Sequence, residues 1–175
     1  MAWIQLCHAG KSRAPDAPLL EADPSRVDRA TEMFKRVLEY EPSNMYAANG
    51  LGVACVAKGR LSEAREIFTL VREASAECDS ATLNLAQLHA ALGEYASAVS
   101  LYHKAAKKAT GSRLVAVLML ESRCHYEANE TTACAACLEK ALELEPSSHP
   151  IKHNLALCLT KSATADSSGV RRRPL

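Results

Sequence analysis

Two stretches of the chain, LGVACVAKGRLSEAREIFTLV at 51–71 and LAQLHAALGEYASAVSLYHKA at 85–105, match at an offset of 34 residues. Leu51 pairs with Leu85, Gly52 with Ala86, Gly59 with Gly93, Ala64 with Ala98, Phe68 with Tyr102 and Val71 with Ala105. A fixed period of this length marks a stacked array. Each unit is too small to bury its own apolar face and does so only against its neighbours, so at least three must stack.

The units are helical. The chain holds 31 Ala but only 7 Gly and 7 Pro, and Ala is the strongest helix former, whereas sheets favour β-branched and aromatic side chains. Each unit reads as two helices of about 14 residues joined by a short turn. Gly59 and Gly93 fall where the first helix ends, and Asn129 takes that place in the next unit; a residue just past a helix adopts the left-handed conformation that Gly reaches freely and Asn next best. The frame extends upstream through Ala30, Phe34, Val37 and Pro42, placing a helix at 25–41. Downstream it continues through Cys134, Leu138, Ala141 and Pro146 after a two-residue slip near Gly111 and Ser112, which is expected to lengthen a turn. A last helix is expected from Pro150 to about Lys161. Ser25 with Asp28 reads as a capping box, Ser43 and Asp79 as N-caps, and Ser148 as a start before Pro150. Residues 1–24 read as a partial helix and a Pro-rich loop, 25–162 as the array, and 163–175 as a polar tail expected to be disordered.

The pattern of small residues at positions 8 and 20, Gly at 15, an aromatic at 24 and Pro near 32 resembles the tetratricopeptide repeat. That resemblance implies an all-α, right-handed superhelix of antiparallel helix pairs. Two departures stand out: no Trp occurs at position 4 (Ala48, Thr82, Leu118, Lys152), and Glu121 lands at position 7, where Leu is usual, unless one extra residue shifts Leu120 there. The segments YAANGLG at 46–52, SEAREIFTLVREA at 62–74 and LNLA at 83–86 are more specific still. With AWIQL near the N-terminus and HNLALCL at 153–159, they resemble the tetratricopeptide subunit of the RNA polymerase II-associated factor complex, over about residues 2–162. Members of that family are several times longer, so the chain reads as a fragment or a short form. The resemblance implies a nuclear, noncatalytic scaffold in transcription elongation and the histone modification coupled to it. Its partners would be other subunits of that complex, with the polymerase reached through them.

Composition narrows the alternatives. Lys plus Arg number 21 against 20 Asp plus Glu, a net charge of +1, which is too little excess cation to drive direct nucleic-acid binding by counterion release. The longest apolar run, Leu114 to Leu120, is far shorter than the ~20 residues that span a bilayer. MAWIQLCHAG lacks the basic and apolar regions of a secretory signal, and a reducing compartment is expected. Arg171 to Arg173 form a short basic run that suits nuclear import or a solvated tail. No phosphate loop, nucleophile elbow or HExxH is present, so neither enzyme activity nor a cofactor is expected. Cys134 and Cys137 form a CxxC, but a tetrahedral site needs two more ligands; Cys124 and His125 are the nearest, without finger spacing. His149 and His153 stand four apart with no third ligand. No bound metal and no disulfide are expected, and Cys55, Cys134 and Cys158 read as core residues.

The resemblance to the tetratricopeptide repeat implies that first-helix positions 2, 5, 9, 12 and 13 line a concave side. They nominate Tyr46, Asn49, Val53, Val56, Leu83, Gln87, Met119 and Arg123 as a protein-binding surface, or as an apolar stripe covered by the array itself. An amphipathic helix or apolar strand suits it better than a charged terminus, whose carboxylate would be left unpaired. The competing function is a co-chaperone adaptor that clamps a C-terminal carboxylate; of that clamp's Lys, Asn and Arg positions only Asn84 matches, since Asn49, Val53, Ala116 and Leu120 occupy the others.

Overall fold

A computed structural model describes residues 24–75 and 78–170, with side chains as far as Thr164. Among the described residues the chain is all helix: α1 (Pro24–Tyr40), α2 (Met45–Ala57), α3 (Leu61–Ala74), α4 (Asp79–Ala91), α5 (Tyr95–Lys108), α6 (Gly111–Glu127), α7 (Thr131–Leu144) and α8 (His149–Val170). Two compact units meet inside α5, one ending at Leu101 and the other starting at Tyr102. In the first, consecutive helices pack from α1 to α4; in the second, α6 packs on α7 and α7 on α8.

The helix ends follow the chain chemistry. Gly59, Gly93 and Asn129 have φ of 74°, 78° and 62°. At each, the turn closes by the same pair of hydrogen bonds: Arg60 N–H to the Cys55 carbonyl and Gly59 N–H to that of Val56 at 2.9 and 3.0 Å, then Glu94 to His89 and Gly93 to Ala90, then Glu130 to His125 and Asn129 to Tyr126. This pattern satisfies carbonyls that the finished helix leaves unpaired.

The core forms at the repeat's internal positions. Position 20 is completely buried in Ala64, Ala98 and Cys134, and position 24 nearly so in Phe68, Tyr102 and Leu138. In the first unit the Phe68 ring lies against Gly52, whose missing Cβ makes room for it, and Phe34 lies against Gly50 in the same way. In the second unit Val115, Leu118, Met119, Cys134, Leu138, Ile151 and Cys158 form one cluster. Val37, at position 27 of the frame, is 39% exposed on α1, which packs on α2.

Several boundaries differ from the sequence expectation. The N-cap of α2 is Asn44, whose side chain accepts from Ala47 N–H at 3.0 Å, in place of Ser43. Cys78 precedes α4, and Asp79 is its first helical residue. α1 begins at Pro24, so Ser25 is already inside it; Pro suits a first turn because its missing N–H would be unpaired there anyway. The slip near Gly111 lengthens a helix instead of a turn, giving α6 17 residues against 13 in α2 and α4. The tail from Ala163 begins as helix, since α8 runs to Val170. Its polar groups are compatible with that: the Thr160 and Thr164 hydroxyls donate to the Ala156 and Lys161 carbonyls. Residues 1–23 and 171–175, with the expected loop and basic run, lie outside the described residues.

A candidate protein-binding face and a polar cluster

In the first unit, α2 and α4 bring together most of the nominated surface. Tyr46 is 75% and Val53 45% exposed, Gln87 is exposed, and Asn49, Val56 and Leu83 are half-buried. Asn49 ties the two helices: it accepts from Asn84 Nδ2 at 3.0 Å and donates to Ser80 Oγ at 3.4 Å. The network fixes the spacing of α2 and α4 beneath the apolar side chains. It also engages Asn84, the single residue that matched a carboxylate clamp.

The second unit treats its nominated residues differently. Arg123 is half-buried, but Met119 is only 5% exposed and packs in the core cluster with Leu138, Ile151 and Cys158. Met119 therefore offers no surface, a correction to its placement on the concave side. Met119 packs inward with Val115 and Leu118 against Leu138, Ile151 and Cys158. Near the end of α6, the Lys161 ammonium donates to the Tyr126 carbonyl at 2.5 Å and sits 3.9 Å from the centre of its ring, joining a hydrogen bond to a cation–π contact.

Comparisons with known proteins agree with the all-helical repeat fold. Tetratricopeptide repeat models match residues 20–77 and 81–114, together more than half of the chain. The chain belongs to the tetratricopeptide-repeat family. It is 32% identical over 153 residues to "Protein CTR9 homolog" of Arabidopsis thaliana, covering 85% of this chain and 14% of that protein. It is 32% identical over 143 residues to "RNA polymerase-associated protein CTR9" of Caenorhabditis elegans, covering 82% and 12%. The chain thus spans about one-seventh of the length of these relatives. Among solved structures, a tetratricopeptide repeat protein from Parabacteroides merdae aligns over 83% of this chain and 57% of its own, with a TM-score of 0.71 at 20% identity. The fold-level likeness extends to the Cut9–Hcn1 assembly, at a TM-score of 0.68, 15% identity and coverage of 79% and 26%.

Within this tetratricopeptide array, the third repeat carries a feature the other two lack. Glu121 is 5% exposed at position 7, so the register holds without an inserted residue and a carboxylate occupies a Leu position. Its oxygen, a ring nitrogen of His125 and the Cys137 sulfur all lie within 4.8 Å of one another. His103 Nδ1 is 3.6 Å from Glu121 Oε1. Burial, then the Glu121 charge, pushes the Cys137 thiol up to about 12, and burial pushes Cys124 up to about 11. The two cysteines of the CxxC therefore part company: Cys134 is completely buried beside Cys158, and only Cys137 faces the cluster. His149 and His153 are exposed and lie outside it. Six cysteines are free thiols among the described residues.

His125 Nδ1–H donates to Glu130 Oε2 at 2.6 Å across the helix turn. The preceding repeat repeats this clip, with His89 held by Glu94 and Glu94 also bound by Arg65 at 2.7 Å. The Arg65 guanidinium, then the His89 ring, holds the Glu94 carboxyl below its ordinary value. Sequence reading missed both clips, although a His five residues before a Glu at each turn was visible. It missed the cluster because Glu121, His125 and Cys137 follow no finger spacing and meet only across the helix pair.

Proposed function

We propose that the chain is a noncatalytic scaffold segment of the RNA polymerase-associated machinery, holding another subunit of that complex on the α2 and α4 face. The observation that carries this reading is the 32% identity to CTR9 proteins across more than four-fifths of the chain. Exposed Tyr46 and Val53, with Gln87 beside half-buried Val56 and Leu83, supply a mixed apolar and amide surface. Such a surface suits an amphipathic helix or extended segment, which buries its apolar side chains and keeps polar ones at the rim. In the other unit, half-buried Arg123 on α6 is a separate candidate contact. The scaffold works in the nucleus, reaches the polymerase through its partner without touching nucleic acid, and supports the histone modification coupled to elongation.

A co-chaperone role has less behind it. A carboxylate clamp needs cations at positions where this chain has Asn49, Ala116 and Leu120, and the Asn84 amide is already engaged by Asn49. The test is pulldown with the purified chain against subunits of the polymerase-associated factor complex and against heat-shock chaperone C-terminal peptides. Direct capture of a complex subunit is the expected result. Capture of the chaperone peptide alone would overturn the reading.

A further inference from the structure

We propose that Glu121, His125 and Cys137 form a binding site for a divalent transition metal of the zinc class. The inference goes beyond the scaffold reading and does not depend on it.

The three-repeat register supplies an internal comparison. In the third repeat, positions 7 and 11 of the first helix meet position 23 of the second. In the first repeat these positions hold Leu51, Cys55 and Ile67, and in the second Leu85, His89 and Leu101. Only the third repeat places a donor at all three, Glu121, His125 and Cys137. Glu121 and His125 stand one helical turn apart on α6, and Cys137 comes across from α7, so the site is built on two packed helices and not on a loop.

Each donor is in a condition that suits a ligand. Glu121 is buried where packing asks for an aliphatic side chain, and a buried carboxylate is costly unless something positive meets it. Around it stand His103, His125 and Cys137. The His125 ring is oriented by Glu130 on Nδ1, which leaves Nε2 for a metal; a carboxylate behind a ligating histidine is the common outer-shell arrangement in zinc proteins. Cys137 is a half-buried free thiol, open to an arriving ion.

One sulfur, one imidazole nitrogen and one carboxylate oxygen are the donor types zinc takes, at about 2.3, 2.0 and 2.0–2.2 Å. Donors spread over as much as 4.8 Å must close by about 1 Å to reach tetrahedral spacing. The fourth place falls to water or to His103, an exposed side chain already beside Glu121. Binding transfers the Cys137 proton to solvent and changes no oxidation state.

The test uses the full chain, reduced and stripped of metal, titrated with Co2+ and then with Zn2+. The expected result is one equivalent of Co2+, a thiolate-to-cobalt charge-transfer band, and its loss when Zn2+ displaces the cobalt. Cys137→Ser should remove the band, and Cys55→Ala should keep it. Glu130→Gln should weaken binding about 10- to 100-fold, as outer-shell changes do. Glu121→Leu restores the residue usual at that position, so it should stay helical by circular dichroism while losing the metal. A chain that gives no charge-transfer band, a band that persists in Cys137→Ser, or unaltered affinity in Glu121→Leu would overturn the proposal.

Discussion

Gly52→Ala adds one methyl group to a helix and should destabilise the protein. In a free helix the same change is favourable by about 1 kcal/mol. Here a Cβ on Gly52 would stand 2.5 Å from Phe68 Cε1, 2.9 Å from Cδ1 and 3.0 Å from Cζ. Carbon atoms prefer about 3.5–4.0 Å, so the ring must retreat by roughly 1 Å. Phe68 is 1% exposed and has nowhere to retreat. Overpacking of this kind costs about 1–3 kcal/mol, which offsets the propensity gain of about 1 kcal/mol and leaves a net loss of up to about 2 kcal/mol. For a chain of this size, 1 kcal/mol is about 2–4 °C in melting temperature. The assay is urea and thermal denaturation followed by circular dichroism, in wild type and in a Phe68→Leu background. Removing the ring should turn Gly52→Ala neutral or stabilising, with a coupling of about 1–3 kcal/mol between the two sites. A Gly52→Ala protein that melts higher than wild type would refute the packing argument, since propensity alone would then explain it.

Further outcomes follow from other parts of the molecule. The Glu94 carboxyl is held low by Arg65 and then His89, so its contribution is present above about pH 4.5 and is lost as pH falls through the lowered folded value. Glu94→Gln should narrow the stability difference between pH 7 and pH 3 in a urea titration, and salt should shrink the effect because the site is exposed. Asn129 has φ of 62°, so Asn129→Gly should raise and Asn129→Ala lower stability by about 1 kcal/mol, read by denaturation midpoints. Tyr46→Ala with Val53→Asp should leave the helical spectrum unchanged and weaken partner binding at least about 100-fold in calorimetry, because each buried apolar side chain is worth ~1.5–3 kcal/mol. Normal affinity in that double variant would place the partner elsewhere.

Much of the fold was legible because the repeat fixes chemistry at set positions. Left-handed turns need Gly or Asn, and Gly59, Gly93 and Asn129 stand just past the ends of α2, α4 and α6. Close helix pairs need small residues, and Ala64, Ala98 and Cys134 are completely buried. Features set by local competition were harder to place. Asn44 and Ser43 are both good caps, and the choice between them depends on which side chain reaches the Ala47 N–H. The extra residues near Gly111 could have entered a turn or a helix, and they stand in the first turn of α6, just before the Val115 and Met119 that pack in the second unit's core.

The surface was legible only in part, for a physical reason. A repeat position states which way a side chain points, but its exposure depends on how far neighbouring helices reach over it. Tyr46 and Met119 belong to the same nominated face, and one is 75% exposed while the other is 5% exposed. The polar cluster reverses the problem. Glu121 was visible as an anomaly in a Leu position, yet its meaning depended on what stood opposite, and that was Cys137 from a different helix. Two deviations at positions 7 and 23 of one repeat are independent when read along the chain and adjacent when the helices pair. A Glu on the inner face beside apolar neighbours would be selected against for stability alone, since a Leu of similar size costs nothing to bury. Its presence together with a thiol and an oriented imidazole is therefore better explained by a shared ligand than by three separate accidents of packing.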